Sequence, residues 1–246
     1  MKHYAFNERH PWDGTFFLFL LGIAWLALLM GFTPGLLKVL NGHAPAPHPL
    51  LHVHVAVFGG WILLLTAQTL LIQRGSLESH KRLGLIALVW VPLVTVMGVV
   101  TAIVINQARF DTGDTRRVAF IGVQLANMLV FATAAGAALW LRKRPDWHKR
   151  LIWLATIELL GAGFGRWIGR ALRPYFGHSV PEFWFTLYLG VNLTLILCMV
   201  FDVMTRRRVH PVWLIGVPLV VLTQITACWL NASPAWMPIA QALIGR

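Results

Sequence analysis

Two identical strings, His80-Lys81-Arg82-Leu83 and His148-Lys149-Arg150-Leu151, open apolar runs 68 residues apart, and a third run opens on Arg206-Arg207-Arg208-Val209-His210-Pro211. Imidazole is the commonest side chain in metal and haem coordination. In the first turns of three helices, His80, His148 and His210 stand at one depth, and Asp202 ends the run before the third. The four make a candidate metal-ligand set. A helix N-terminus opposes an added proton, which favours the neutral imidazole that ligation requires. The plainer reading is a boundary collar, since each histidine stands near Lys or Arg in the manner of short cytoplasmic loops of membrane proteins. Asp202 is also spaced for an i,i+4 pair with Arg206.

A second stripe runs through His54, Trp61 and Gln68, spaced by seven residues, close to two helical turns. Gly59 and Gly60 beside it leave room for a neighbouring backbone or a flat ligand. His54 is therefore a candidate ligand to a metal or haem iron near the opposite surface, where His43, His48 and His178 can gather; its alternative is an interfacial anchor. Glu158 lies ten residues past His148, about 15 Å further along a helix. A carboxyl so deep in an apolar run is costly unless protonated or partnered, so Glu158 is the candidate catalytic or proton-coupling group. Gln124, Asn127, Asn192 and Gln224 are its candidate hydrogen-bond partners, and cross-linking of helices by a protonated acid is the competing role. Gly161, Gly165 and Gly169 at intervals of four, with Gly163 between, predict close helix packing. Arg166 and Arg170, one turn apart beside that face, suit an acidic headgroup, a substrate carboxylate or haem propionates; snorkelling to the interface accounts for them equally.

The elements that must hold these residues are helices in a bilayer. The chain of 246 residues is 57% hydrophobic and 12% charged with mean hydropathy +0.67, which excludes an ordinary water-soluble enzyme. Its apolar residues fall in seven blocks, approximately 16–38, 51–73, 83–106, 118–141, 149–171, 183–203 and 211–231, each near the length that spans a bilayer as a helix. The expected fold is all-α: one integral membrane domain over 1–246, a seven-transmembrane-helix bundle. Thirteen Lys and Arg residues fall on one side of these spans and eight on the other, which sets the N-terminus in the cytoplasm and the C-terminus in the periplasm. The net charge of +12 thus reflects topology, and no nucleic-acid partner is expected. Cys198 and Cys228 fall near opposite ends of the spans and predict no disulfide. Residues 235–246 read as an amphipathic piece on the outer face. The His-Lys-Arg-Leu strings make spans two and three resemble spans four and five, a weak parallel repeat. Phosphate-cradling loops, zinc-protease helices, hydrolase elbows and haem-attachment Cys motifs do not occur in the sequence.

These residues carry a resemblance. His54, Trp61 and Gln68; His80 to Gly84; His148 to Leu151; and Asp202, Arg206 to Arg208, His210 and Pro211 together resemble the recurring text of a family of bacterial seven-helix inner-membrane proteins without an assigned activity, over nearly the whole chain from about residue 50. The resemblance implies a multi-pass protein of the bacterial inner membrane. A more distant similarity is to di-haem transmembrane b-type cytochromes, which pair histidines on alternate helices near each surface. It implies His80 and His148 as an inner axial pair for haem b, with His54 as an outer ligand and Arg166 and Arg170 as propionate partners. The outer partner of His54 would fall, by the repeat, at Gly122, so the outer site departs from that pattern. Three functions follow as expectations. The first is a haem-binding or redox protein that exchanges electrons with quinone or another membrane partner. The second is a zinc-dependent intramembrane hydrolase using His80, His148, His210 and Asp202. The third is a transporter or accessory subunit, homo-oligomeric or within a larger membrane complex, that uses Glu158.

Overall fold

The computed structural model describes residues 4–177 and 179–246; Lys2 and His178, used in the readings above, lie outside the described residues. The described residues form ten α-helices and two short 3-10 turns, with no strand among them. The helices are α1 (Asp13–Leu40), α2 (Pro49–Gln73), α3 (Leu77–Gly84), α4 (Ala87–Asp111), α5 (Ile121–Trp140), α6 (Pro145–Leu159), α7 (Gly161–Leu172), α8 (Val180–Arg206), α9 (Pro211–Ala232) and α10 (Trp236–Leu243). Proline sits in the first turn of α2, α6, α8 and α9, where its missing N–H forfeits no helical hydrogen bond. Gly42, Gly75 and Gly113 take positive φ just beyond α1, α2 and α4, the left-handed step that stops a helix.

Six segments are long and apolar enough to cross a membrane: α1, α2, α4, the stretch Thr115–Trp140 that includes α5, α8 and α9. A further pair, α6 with α7, passes the same test only when taken together, and it is bent by 48°. The protein is thus built as a multi-pass membrane protein. Leu26, Leu63, Leu129, Leu219, Leu222 and Trp229 are exposed along these helices, an apolar surface too extensive for a water-soluble monomer and suited to lipid.

Helix α5 lies at the centre, packed by α4, α6 and α9, while α7 fits between α1 and α8. Phe131, Ile157, Val191, Leu195 and Cys228 are among the fully enclosed core residues. The glycines of α7 serve two neighbours. A Cβ on Gly163 would fall 2.5 Å from the Ala27 carbonyl oxygen of α1, and one on Gly169 would fall 2.3 Å from the Thr186 carbonyl oxygen of α8. At Gly161 the nearest atom would be a Val191 methyl at 3.4 Å, an ordinary contact.

One element differs from the sequence-based expectation, and the C-terminal segment gains a seat that the sequence did not specify. The fifth apolar block, predicted as one helix, breaks at Leu160, whose carbonyl accepts from both Gly163 and Phe164 at 2.9 Å. Gly161, Gly163 and Gly165 supply the weak helix propensity that permits the break, and the seat of Gly163 against α1 sets where α7 goes. The C-terminal segment, expected on the membrane surface, docks on protein: Trp236 Nε1 donates to the Ala119 carbonyl at 2.9 Å and Gln107 Nε2 to the Ile244 carbonyl at 2.7 Å. Ala240 and Ile244 are buried there against Ala102, Val118 and Ile121.

Candidate functional site

The end of the bundle at which α1 begins collects most of the charged residues. His80 on α3 and His148 on α6 meet there, their ring centres 6.5 Å apart and their planes crossed at 81°. The two rings are half-buried. His148 Nδ1 lies 2.8 Å from the Ala138 carbonyl at the end of α5. A carbonyl only accepts, so Nδ1 carries the proton and Nε2 keeps its lone pair. His80 has the Gln68 carbonyl facing its ring, and its Nδ1 is buried with no hydrogen-bond partner. Each ring therefore offers one nitrogen. Burial, then the neighbouring His148, lowers the pKa of His80 below the ordinary value, a shift toward the neutral ring.

The other two members of the expected ligand set are engaged elsewhere. Asp202 does not pair with Arg206. Its carboxylate takes a bidentate fork from Arg150, with Nε at 2.9 Å from Oδ2 and Nη2 on Oδ1, and both side chains are almost wholly buried. It also accepts from the His210 backbone N–H at 3.3 Å. Arg206 turns instead to Asp13, donating to both carboxylate oxygens at 2.9 and 2.8 Å, and Lys149 adds a third donor at 3.1 Å. His210 caps α9 through Nδ1, which accepts from Val212 N–H at 3.1 Å, while Nε2 faces Asp146 at 3.4 Å. Its ring stands edge-on to Phe6 and Trp147. Burial and the Arg150 charge pull its pKa down to about 4. Among the described residues no three His, Cys, Asp or Glu side chains gather as a metal-holding group.

This ionic belt was not legible as a site. The sequence offers Lys149 and Arg150 as topological charges within a repeated string and Arg206 as a local partner of Asp202, none of them as a partner of Asp13. The available signal was Asp13 itself, an acid at the head of an apolar run facing basic loops.

In the interior, Glu158 sits directly before the helix break and is 2% exposed. With its amide nitrogen turned to the carboxyl, Asn127 of α5 donates to Glu158 Oε1 and to the Val123 carbonyl, both at 3.1 Å. Gln224 of α9 presents Nε2 to Glu158 Oε2 at 3.5 Å, and Asn192 of α8 donates to Gln224 Oε1 at 3.1 Å. The Tyr188 hydroxyl is 3.3 Å from the same Asn127 terminus. Three of the four expected partners thus join the cluster. The fourth, Gln124, accepts from Asn106 Nδ2 at 2.7 Å.

The predicted stripe on α2 faces protein at every step. His54 Nδ1 lies 3.2 Å from Thr101 Oγ1 of α4 and its ring stacks on Phe58; Trp61 Nε1 donates to Thr156 Oγ1 of α6 at 3.2 Å; the Gln68 carbonyl reaches His80. No second imidazole joins His54 among the described residues: His48 caps its own helix through Leu50 N–H, and His43 and His52 are exposed. Arg166 lies in electrostatic reach of His54, donates to the Ala162 carbonyl at 2.7 Å and stands over the Phe32 ring. Arg166 thus belongs with His54 and not with the inner pair. Comparison with family models, curated proteins and solved structures returns no match to this chain.

Proposed function

We propose that the protein is a seven-span protein of the bacterial inner membrane whose functional centre is the His80–His148 pair, holding haem b or another metal centre between the two rings. The bent α6–α7 pair serves as the fifth span, the N-terminus lies in the cytoplasm and the C-terminus in the periplasm. Thirteen basic residues on the N-terminal side against eight on the other support this orientation. Membership in the bacterial seven-helix family belongs to the same proposal, resting on the His54–Trp61–Gln68 and His-Lys-Arg-Leu text.

The observation that carries the reading is the spacing of the imidazoles. Two rings that ligate one metal ion from opposite sides, with bonds of about 2 Å, place their centres roughly 6.3 Å apart, close to the 6.5 Å found. The ring atoms fit the role. The Ala138 carbonyl fixes the His148 tautomer with Nε2 as ligand, the second-shell arrangement usual for a coordinating histidine, and His80 has a partnerless buried Nδ1. Bound haem would supply one-electron chemistry, with quinone or another membrane carrier as partner. The protein's share is to hold two neutral imidazoles at fixed spacing. His54, with Arg166 in electrostatic reach and Arg170 one turn beyond Arg166, offers at most a single-ligand site at the opposite end. A four-ligand zinc hydrolase has less support, because Asp202 is committed to Arg150 and His210 to its helix cap. Replacement of either ring, H80A or H148A, is expected to abolish binding while leaving a monodisperse protein; full retention of haem or metal by both variants overturns the assignment.

A further inference from the structure

Glu158 stands apart from the imidazole pair, and its surroundings define a site of another kind. Among the described residues no cationic side chain pairs with it. The groups that face it are two amides, Asn127 from α5 and Gln224 from α9, with the Tyr188 hydroxyl of α8 beside Asn127 and the Cys228 thiol of α9 near Tyr188. The amides are oriented in series toward the carboxyl: Asn192 donates to Gln224 Oε1, and Gln224 turns Nε2 to Glu158 Oε2, while Asn127 donates to Oε1. Both oxygens thus receive donors, as a carboxylate requires.

Two opposing effects meet at this carboxyl. Burial of an unpaired charge in an apolar core is costly, and two amide donors offset only part of that cost. A neutral acid avoids the charge and keeps one amide donor at its carbonyl oxygen, but its hydroxyl oxygen makes a poorer acceptor for the other and its O–H needs an acceptor of its own. Neither form is overwhelmingly favoured, which is the condition for a group that changes protonation. We infer that Glu158 is a reversible proton-binding site in the middle of the bundle: a proton from water joins one carboxylate oxygen and leaves the same way, with no other bond made or broken. The polar side chains continue toward the opposite end of the bundle, Gln124 one turn from Asn127 on α5 and then Asn106 of α4 at 2.7 Å. Asn106 Oδ1, buried and without a partner among the described residues, remains as an acceptor on that line, and Asn192 Oδ1 does so behind Gln224.

Infrared difference spectroscopy of the purified full chain across a pH titration tests this. The chain should be labelled with ¹³C-glutamate and measured in H₂O and D₂O. The expected result is a carboxylic-acid C=O band that grows as pH falls, shifts with both isotopes, and vanishes in E158Q. Glu8, Glu78 and Glu182 lie in exposed or helix-start positions and give bands at the frequency of hydrated acids. An apolar-environment band is therefore diagnostic even if E158Q fails to fold. A glutamate acid band constant at every pH, or no such band at any, overturns the proposal. Neither outcome bears on metal binding by His80 and His148.

Discussion

A histidine at the head of a helix can ligate, cap or titrate, and in this protein neighbours one or two residues away decide which. His148 spends Nδ1 on a carbonyl and keeps Nε2. His210 spends Nδ1 on the Val212 amide, and its buried ring is held neutral. The types and common depth of these side chains were legible in the sequence. The pairing of His80 with His148 alone was not, because which ring nitrogen meets which backbone group depends on a few degrees of helix rotation. The state of His210 has a pH consequence. Its folded pKa of about 4 lies below the ordinary 6.5, so between these values the unfolded chain binds a proton that the folded chain refuses. Stability therefore falls as pH drops from 6.5 toward 4, by up to roughly 3 kcal/mol from this residue. H210N keeps a cap acceptor without the titration. Its melting temperature in detergent is expected to be flatter over that interval than the wild type's; identical acid profiles would refute the assignment.

Among the elements, α7 does the most with the least side chain. Its glycine spacing was readable as a packing face, yet the stripe of four-residue intervals and the odd member, Gly163, serve different partners. Gly161 and Gly169 face α8, whereas Gly163 touches the α1 backbone at Ala27. Sequence periodicity separates these faces, since Gly163 stands more than half a turn from Gly161, but the neighbour that covers each face depends on how the bend at Leu160 aims α7. Backbone carbonyls cannot rotate away from an added methyl. G163A is thus expected to lower stability by about 1 to 3 kcal/mol, while G161A, meeting only a Val191 methyl, stays near wild type. Thermal unfolding in one detergent compares them, and equal losses would mean that α1 and α7 are less tightly seated than described.

Across the whole molecule, two buried ionic links close the bundle at its basic end: Arg150 of α6 to Asp202 of α8, and Asp13 of α1 to Arg206 of α8 and Lys149 of α6. Removal of one partner leaves an uncompensated charge, so D202N is expected to destabilise by about 3 to 5 kcal/mol. The apolar double replacement R150M/D202L should recover much of the loss; a D202N protein as stable as wild type would show the link to be idle. The proposed seven-span arrangement is checked with reporter fusions at the C-terminus, where a periplasm-dependent reporter is expected to be active and a cytoplasm-dependent one silent. Six of the seven apolar blocks were legible as single helices of membrane-crossing length with approximate bounds, because the bilayer imposes one length on all spans; the fifth is two helices bent by 48°, which block length did not reveal. Long-range ion pairs were not legible, because Lys and Arg counted for topology look alike whether they face water or a buried acid. The most direct measurement is the content of the protein itself, purified in mild detergent: metal analysis together with a reduced-minus-oxidised optical spectrum. A stoichiometric centre, with a b-type α-band if it is haem, lost in H148A, is the expected result; a folded, monodisperse wild-type chain carrying neither haem nor metal would contradict it.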